Sequence, residues 1–570
     1  MAVGSQRPGE ARATPDLNHF RKHYPLMVMN FGALAGRESW LGRIWEVEER
    51  WRQVLSGEVH AEAVINGAPP ADLSLEGEFD VIYAGGALGL IHAAVMACRH
   101  NRRVMVFDSE TVGRTNLDCN VSDDDLRELE HAGLFAGEEI EAAVANRYRS
   151  GFVKFHDGAS RVKTPPLWIN GVLDVALQVD KLLALAAARL RARGAQAGAL
   201  LDGQRFVRCY VEPHRVSVEL EDVRTRRRRL FAARLFVETR GADSPVARQL
   251  NNDLPITHVC PTVGTVARGF SRGEGPDQVD FKIAEILIST EDASDHRQLM
   301  WDGMAGNPQR DEYTTCLFFY DAVTSAADKS LLALFERYFE TLPSYKRTGA
   351  QWRVVKPIFG YIPVSHRPDW HSRRRGAADR VMLIGTTAGL SSPLALGGFG
   401  PRVRHLRRLT HLVDLALDAD MLDAGSLAEI SCTEPRVTEM AGLAEFMRPA
   451  AKSAPPTVNE TLNAVMAALH DLDEGIRREL FQDRITLSGL KSLLGRTIKL
   501  YPRILQRVRE HLGARGSFWW LVNITRAMLN ERRRETDAVS LESAGSDSAA
   551  AREFARYLAL YKRENGAGDQ

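Results

Sequence analysis

A glycine-rich turn is the first place in the sequence where the residue types and their spacing indicate chemistry. The turn reads Ala84-Gly85-Gly86-Ala87-Leu88-Gly89, which matches the dinucleotide pattern G-x-G-x-x-G except that Ala84 replaces the first glycine. In this pattern Gly86 admits a pyrophosphate to the helix N-terminus, and Gly89 lets the helix pack closely on the strand. Asp108, 24 residues after Ala84, suits the ribose hydroxyls. The turn therefore predicts a dinucleotide site, the alternative being a tight turn in an unrelated α/β domain.

A second stretch of bare backbone, TTAGLSSPLALGGFG, occupies residues 386–400 and follows the apolar run VMLI. A connection between a strand and a helix usually needs only about two to six residues. This stretch is longer and richer in glycine than a connection requires. It indicates either a loop whose backbone packs closely against another molecule or a glycine-rich surface loop.

The elements that must position the first turn follow from the hydrophobic pattern. Residues 80–83 and 104–107 are short apolar runs typical of buried parallel strands, and residues 90–100 between them form a helix of small residues. Strands and helices alternate in this way to about residue 420, which predicts an α/β fold. Ahead of this region, residues 20–56 carry aromatic and aliphatic residues at helical spacing and predict an amphipathic helix.

Three regions follow from this pattern. Residues 1–76 form an N-terminal extension, residues 77–424 form the α/β domain, and residues 425–570 form a helical C-terminal region. A length of 570 residues is consistent with more than one domain.

Composition excludes several classes of protein. Hydrophobic content of 44% and charged content of 26% are typical of a globular protein, and a net charge of +1 argues against a nucleic-acid binder. The six cysteines form no C-x-x-C pair, so we expect no zinc or other metal site and no disulfide framework. The N-terminus lacks a signal-peptide pattern, and no apolar run approaches the length of a membrane span. We expect a cytoplasmic protein, peripheral on the inner face of the membrane.

Six motifs, in sequence order, resemble those of the CruA/CruP-type lycopene cyclases, a family of flavin-dependent carotenoid enzymes. The matching stretches are GRTNLDCNVSDDDLRELEHAGLF (113–135), PLWINGVLDVALQVDKLL (166–183), VETRGADSPVARQ (237–249), PTVGTVARGF (261–270), IFGYIPV (358–364) and the glycine-rich loop with GGFGPRVRHLRRLT (397–410). The resemblance spans about residues 35–420.

The resemblance implies an FAD/NAD(P)-binding Rossmann-type flavoprotein fold with an inserted mixed-sheet substrate domain and a helical C-terminal lobe. It also implies FAD as the cofactor, required in its reduced form, with NAD(P)H as a possible electron donor. The residues that it assigns to FAD are Ala84, Gly86, Gly89, Asp108, Arg114, Gly241, Gly385, Thr386, Ser392, Pro393, Gly397, Gly398 and Gly400.

The chain departs from the family at several of the positions that hold FAD. Thr386 replaces an aspartate, Glu238 replaces another, Cys119 replaces a tryptophan, and Ala84 replaces a glycine. These departures predict either weaker binding of FAD or a protein that has moved away from cyclase activity.

The family's reaction is a cyclisation of a linear carotene such as lycopene, started by a proton and involving no net redox change. Its acid follows a tryptophan on a strand of the substrate sheet, and Trp301-Asp302 in LMWDGMA occupies that place. An aspartate walled by tryptophan and methionine, here Trp301 with Met300 and Met304, loses hydration, which raises its pKa and keeps it protonated near neutral pH. The alternative for Asp302 is a solvated aspartate at an Asp-Gly turn, and Glu291 and Asp292 are less favoured acids.

We assign other residues near these motifs to the core, to a pocket wall or to the surface. Phe318, Phe319 and Tyr320 alternate on a predicted strand and form either the core or a pocket wall. His405 and His411 on the basic helix are interpreted as surface groups.

Carotenes reside in bilayers, so the enzyme must contact a membrane. Residues 491–534 hold eleven Lys or Arg against two acids, with Phe518-Trp519-Trp520-Leu521 among them. This segment predicts either an interfacial surface for anionic lipid or a helical lobe with solvated arginines.

Two functions compete with the cyclase. One is a flavin monooxygenase or a polyprenyl or polyene reductase of the same fold. The other is a carotenoid-binding paralogue without cyclase activity, which the departures at Ala84, Cys119 and Thr386 would permit.

Overall fold

The structure is a computed structural model. It describes residues 14–55, 62–115, 119–195, 197–241, 244–251, 256–364, 375–388, 399–431, 445–450, 453–482, 484–518, 522 and 548–564.

The strands are β1 Val64–Asn66, β2 Leu75–Ala84, β3 Val104–Phe107, β4 Cys119–Val121, β5 Val144–Arg147, β6 Ser150–Lys154, β7 Leu167–Ile169, β8 Val175–Leu177, β9 Gly198–Leu201, β10 Gln204–Val211, β11 Val216–Asp222, β12 Arg228–Glu238, β13 His258–Phe270, β14 Ile283–Ile288, β15 Met300–Ala305, β16 Glu312–Phe318, β17 Asp321–Ala322, β18 Thr348–Val364, β19 Ala377–Ala378 and β20 Val381–Leu383.

The helices up to residue 431 are α1 Leu17–His23, α2 Pro25–Asn30, α3 Arg37–Leu55, α4 Leu88–Arg99, α5 Asp123–His131, α6 Gly137–Ala143, α7 Val179–Ala192, α8 Pro245–Leu250, α9 Leu331–Tyr345, α10 Phe399–Arg404, α11 Leu406–Ala419 and α12 Ala424–Ser431. Later helices cover Thr457–His470, Glu474–Phe481, Leu487–Leu500, residues 504–518 and Ala549–Glu564. Short 3-10 turns lie at Phe31–Ala33, Pro308–Arg310, Gly385–Ala388 and Glu445–Met447.

The first sheet has a parallel centre in the order β9-β3-β2-β12-β20. The last four residues of β2 and all of β3 are buried, which explains their continuous apolar sequence, because helices cover such strands on both faces. An antiparallel meander of β10, β11 and β12 extends the same sheet, and β1 pairs with β10. Because the central strands are parallel, the turns that follow β2, β3, β12 and β20 meet at one edge.

The second sheet, called here the substrate sheet, has the order β17-β13-β16-β15-β14-β6-β7, with β18 also paired to β13. Helix α9 covers one face, where the hydroxyl of Tyr338 bonds Thr265 and Thr315 at 2.6 Å each. The other face is turned towards the first sheet. A small sheet, β4-β8-β5, lies beside them.

The N-terminal region differs from the single helix predicted over residues 20–56. It contains α1, α2, a 3-10 turn and α3, because Pro25 starts a new helix and Gly36, at φ +69°, interrupts the next. The buried face of α3 joins the core of the substrate sheet, so this region is packed against the domain that follows it.

The C-terminal region contains helices and, in the part that the structure describes beyond β20, no strand. The last helix packs on α11, where His411 accepts or donates a 3.0 Å hydrogen bond with the hydroxyl of Tyr561. Within the described residues, no helix has the length and apolar character needed to cross a bilayer.

Candidate functional site

Three glycine turns meet at the carboxyl edge of the first sheet. Gly85 follows β2, Gly241 follows β12, and Gly385 follows β20, and their φ angles are +109°, +93° and +64°. Residues other than glycine rarely adopt such φ angles. The amide of Gly241 donates a 2.7 Å hydrogen bond to Oγ1 of Thr387, which joins the second turn to the third.

A cavity of about 460 Å³ lies between these turns and the open face of the substrate sheet. Its first side is formed by residues 87–89, 239–241 and 383–386. Its opposite side is formed by side chains of the substrate sheet, namely Thr262, Ile286, Asp302, Met304, Cys316 and Phe318. One cavity therefore joins the dinucleotide turn to the candidate acid.

The N-terminus of α4 opens into this cavity. Its N-cap residue is Ala87, which has no side chain able to accept from the first amides of the helix. These amides and the helix dipole favour an anionic group such as a phosphate. The uncapped helix end and the three backbone turns form a cradle that fits the diphosphate and ribityl parts of a flavin dinucleotide.

The turn after β2 requires glycine at position 89 but tolerates alanine at position 84, where the pattern has its first glycine. A Cβ atom on Gly89 would overlap Oγ1 of Thr239, so a glycine is needed where α4 crosses the end of β12. Ala84 is still part of β2, paired with Glu238, and its carbonyl accepts a 2.7 Å hydrogen bond from the Thr239 hydroxyl. The left-handed conformation falls on Gly85 instead, so alanine is tolerated at 84.

Gly86 and Asp108 are engaged by the chain itself. A Cβ atom on Gly86 would lie 2.8 Å from the Cα of Val112, so the close approach at this glycine is made by the protein backbone. The Asp108 carboxylate accepts from the amides of Gly86 at 2.7 Å and Glu110 at 2.9 Å. Its remaining lone pairs leave room for ribose hydroxyls. Neither residue lines the cavity, and Arg114 is exposed and does not line it either.

The predicted residues of the long glycine loop divide into two groups. Ser392, Pro393, Gly397 and Gly398 lie outside the described residues. Thr386 lines the cavity. Gly400 lies in α10 and packs on the Asp125 carboxylate, 2.6 Å from the place of a Cβ, while its neighbours Phe399 and Arg402 line the cavity.

Asp302 lies in the middle of β15, with its carboxyl directed into the cavity, and is 9% exposed. It is therefore not a solvated turn aspartate. Burial raises its pKa to about 8, and the negative charge of Glu285 adds to the shift. Within the described residues no group donates a hydrogen bond to it. Such a carboxyl is protonated at neutral pH and able to donate its proton.

Trp301 does not form the wall next to Asp302 that the sequence suggested. Successive side chains of a strand point to opposite faces, and Trp301 is buried on the α9 face, where it stacks on Tyr345 with ring centroids 4.6 Å apart. On the substrate-sheet side, the apolar side chains that line the cavity with Asp302 include those of Ile286, Met304 and Phe318. Burial among these groups produces the pKa shift that had been attributed to the tryptophan.

The other candidate acids lie outside the cavity. Glu291 binds Arg337 with hydrogen bonds of 2.9 and 3.0 Å, and Asp292 accepts from the side-chain amide of Asn459 at 2.8 Å. Both carboxylates are therefore committed to structural contacts.

The aromatic and histidine residues also divide between core and cavity. Phe318 is a pocket wall, whereas Phe319 and Tyr320 are core residues. The surface interpretation of two histidines is wrong, because His411 packs against Tyr557 and burial keeps the pKa of His405 well below its ordinary value.

Sequence reasoning missed the contribution of α3 to the cavity. Val47, Arg50 and Trp51 line it, together with Tyr361 and Phe359 of β18. The spacing of aromatic residues in 20–56 indicates that this helix has an apolar face. It does not identify the part of the protein against which that face packs.

No protein-family profile and no curated protein matches this sequence. Solved structures do match in fold. The p-nitrophenol 4-monooxygenase PnpA from Pseudomonas putida DLL-E4 has a TM-score of 0.51 and 14% identity, covering 73% of this chain and 98% of that one. The halogenase PltM in complex with phloroglucinol and FAD has a TM-score of 0.50 and 13% identity, covering 85% of this chain and 96% of that one. A flavoprotein/dehydrogenase from Cytophaga hutchinsonii has a TM-score of 0.50 and 11% identity, covering 75% of this chain and 99% of that one. The chain therefore has the FAD-binding Rossmann-type flavoprotein fold with mixed sheets and a helical C-terminal region.

Proposed function

We propose that the protein is an FAD-dependent cyclase of a linear carotene such as lycopene, with Asp302 as the catalytic acid. The observation that carries this proposal is the place of Asp302. It is a buried carboxyl with a pKa of about 8 in the same cavity as the three glycine turns. An acid held protonated beside a cofactor cradle suits proton-initiated chemistry on an apolar substrate.

The cradle residues are the ones that would hold FAD. The amides at the N-terminus of α4 would bind the diphosphate, Gly241, Gly385 and Thr386 would lie along the ribityl chain and ring, and Asp108 would bind the ribose. Reduced flavin, when bound, supplies an electron-rich ring that stabilises a nearby positive charge.

The reaction needs one proton delivered and one removed. The Asp302 carboxyl transfers its proton to a terminal C=C bond, leaving a carbocation, and the neighbouring C=C bond attacks that cation to form the C–C bond of the ring. Loss of a proton from the adjacent carbon then forms the new double bond, and the Asp302 carboxylate is the base that accepts it. Substrate and product are isomers, so no electrons are gained or lost.

The cavity walls protect the cation from water. The hydrocarbon side chains of Ile286, Phe318 and Phe359 line the cavity that holds Asp302 and exclude water from that part of its wall. Aromatic faces also attract a cation, which adds to this protection. The same apolar wall raises the pKa of the acid, so one arrangement serves both needs.

Carotene must reach the cavity from a membrane, and we propose that the chain contacts an anionic bilayer through residues 498–509, called here the basic corner. Ile498, Leu500 and Leu505 are 38%, 43% and 57% exposed there. Lys499, Arg503 and Arg509 are also exposed and form no ion pair within the described residues. Exposed apolar groups interleaved with cations suit a surface of anionic lipid. Of the predicted aromatic run, Phe518 is 60% exposed and residues 519–521 lie outside the described part.

A flavin monooxygenase or polyene reductase is the second candidate, favoured by the fold shared with p-nitrophenol 4-monooxygenase. These activities consume NAD(P)H in proportion to product, whereas a cyclase needs only enough donor to keep flavin reduced. A carotenoid-binding paralogue would bind lycopene and leave it unchanged.

Expression in a lycopene-accumulating bacterial host tests the proposal, with pigments separated by chromatography. Wild type should yield a cyclic carotene, and Asp302→Asn should yield none while keeping normal flavin content. Glu291→Gln is the matched control, because that carboxylate is the alternative candidate acid and does not line the cavity. Unchanged lycopene with wild type, or near-normal yield with Asp302→Asn, overturns the proposed role.

A further inference from the structure

Helix α3 forms one wall of the cavity although it lies far from the other site residues in sequence. Trp51 lines the cavity and packs behind on Ile256 and Val259. Its ring stacks on that of Tyr361, with centroids 4.7 Å apart and an angle of 20° between the planes. Both residues line the cavity, so the stacked pair forms an aromatic part of its wall.

Both rings are fixed by contacts outside the cavity. The Tyr361 hydroxyl donates a 2.9 Å hydrogen bond to the carbonyl of Lys329, so its polar end is satisfied away from the cavity. Helix α3 is held by Glu48, which is 1% exposed and accepts from the Ser330 hydroxyl at 2.8 Å and from the Leu332 amide at 3.2 Å. These bonds tie α3 to the N-terminus of α9, where a carboxylate is favoured by the helix dipole. The aromatic wall is therefore preorganised.

The chemistry of this wall suits a planar, apolar and conjugated ligand. Stacked aromatic rings bind flat π systems by dispersion and quadrupole contacts, without needing a polar group on the ligand. Phe318 and Phe359 line the same cavity, so the aromatic surface extends to the neighbourhood of Asp302.

We propose that the N-terminal helix is part of the substrate site and that the Trp51–Tyr361 pair binds the conjugated chain of the substrate next to its reacting end. This inference rests on the proposed function, because it takes the substrate to be a linear polyene. It makes Trp51 a residue that determines substrate affinity, and it makes residues 37–55 a functional part of the flavoprotein domain.

Binding and conversion are measured separately on the full chain. Binding of lycopene in detergent micelles is followed by quenching of tryptophan fluorescence, and flavin content by absorbance. Trp51→Leu should weaken lycopene binding about tenfold, and Trp51→Phe about two- to threefold, because stacking is lost in the first and reduced in the second. Flavin content should be unchanged in both.

Trp40→Leu is the matched control. Trp40 is on the same helix and contacts Phe359 with ring centroids 6.4 Å apart, but it does not line the cavity. Its replacement should leave lycopene binding unchanged. Equal weakening by Trp40→Leu, or unchanged binding in both Trp51 variants, overturns the inference.

The conversion assay separates this inference from the proposed activity. Binding that depends on Trp51 without any conversion supports the inference and overturns the cyclase. Conversion with binding that is independent of Trp51 overturns the inference alone. Failure of wild-type protein to bind lycopene overturns both.

Discussion

Glu285 and Lys346 form an ion pair on the face of the substrate sheet opposite to the cavity, behind the strand that carries Asp302. Glu285 is paired in register with Gly303, the residue after Asp302, and it also accepts a 2.5 Å hydrogen bond from the Tyr345 hydroxyl. Lys346 is 1% exposed. A charged group is thus fixed within range of the candidate acid while being kept out of the cavity, and its negative charge contributes to the raised pKa of Asp302.

We expect the protein to lose much of its stability when one charge of this pair is removed. Glu285→Gln leaves the ammonium group of Lys346 buried without its counter-charge, which should lower the free energy of unfolding by about 3–5 kcal/mol. The double variant Glu285→Gln/Lys346→Met removes both charges and should recover most of that loss. Urea unfolding of the three proteins measures the difference. A double variant no more stable than Glu285→Gln would contradict this explanation.

The raised pKa of Asp302 predicts how activity depends on pH. The acid must be protonated to act, so conversion should be constant below the pKa of about 8 and should fall as pH rises through it. Asp302→Asn should lower conversion at least about a hundredfold, and Asp302→Glu should retain part of it. A rate that rises through pH 8 would mean that the residue acts as a base.

The same pKa predicts a stabilising effect of Asp302→Asn. The folded pKa is raised above the value of 3.8 that the group has when unfolded, so the unfolded state releases this proton first. The contribution of Asp302 to stability is therefore full below about pH 4 and decreases as pH rises towards 8. At pH 7 the neutral asparagine avoids this loss and should raise the free energy of unfolding by on the order of 2–4 kcal/mol. Unfolding at pH 4 is the control, where the two proteins should differ little.

The contact at Gly86 predicts an effect on the flavin-free protein. A Cβ atom there meets the Cα of Val112 at 2.8 Å, so Gly86→Ala must displace the chain after β3. We expect a lower melting temperature without any flavin, and a further loss of bound FAD because the Asp108 contact with the Gly86 amide moves as well. Flavin loss with an unchanged melting temperature of the apoprotein would show that position 86 acts on the cofactor alone.

The basic corner predicts binding to anionic vesicles that depends on salt. Replacing Lys499, Arg503 and Arg509 by glutamate should weaken binding to phosphatidylglycerol vesicles by at least about a hundredfold, at roughly 1 kcal/mol per basic residue near the surface. The matched control replaces three exposed arginines elsewhere, namely Arg191, Arg224 and Arg310. Co-sedimentation at low and high salt measures both, and an equal loss in the control would mean that only net charge matters.

Much of the first sheet could be predicted from local sequence. The apolar runs at 81–83 and 104–107 are buried strands, and the glycines after the first run allow the turn into α4, so pattern alone indicated β2, α4 and β3. The strand position of Asp302 came from the resemblance, since Asp-Gly in isolation reads as a turn. Local sequence failed at Pro25 and Gly36, where an apparently continuous helical pattern is interrupted.

The sequence by itself indicated the glycine turn after β2 and the alternation of strands and helices, and its resemblance to a known family singled out Asp302 as the candidate acid. Only the tertiary structure decided that Trp301 turns away from Asp302, because strand register assigns neighbouring residues to opposite faces of a sheet. It also decided that Trp51 of α3 closes the cavity and that Val112 meets Gly86. These contacts join segments distant in the chain, and local periodicity shows which face of an element is apolar but not what that face will meet.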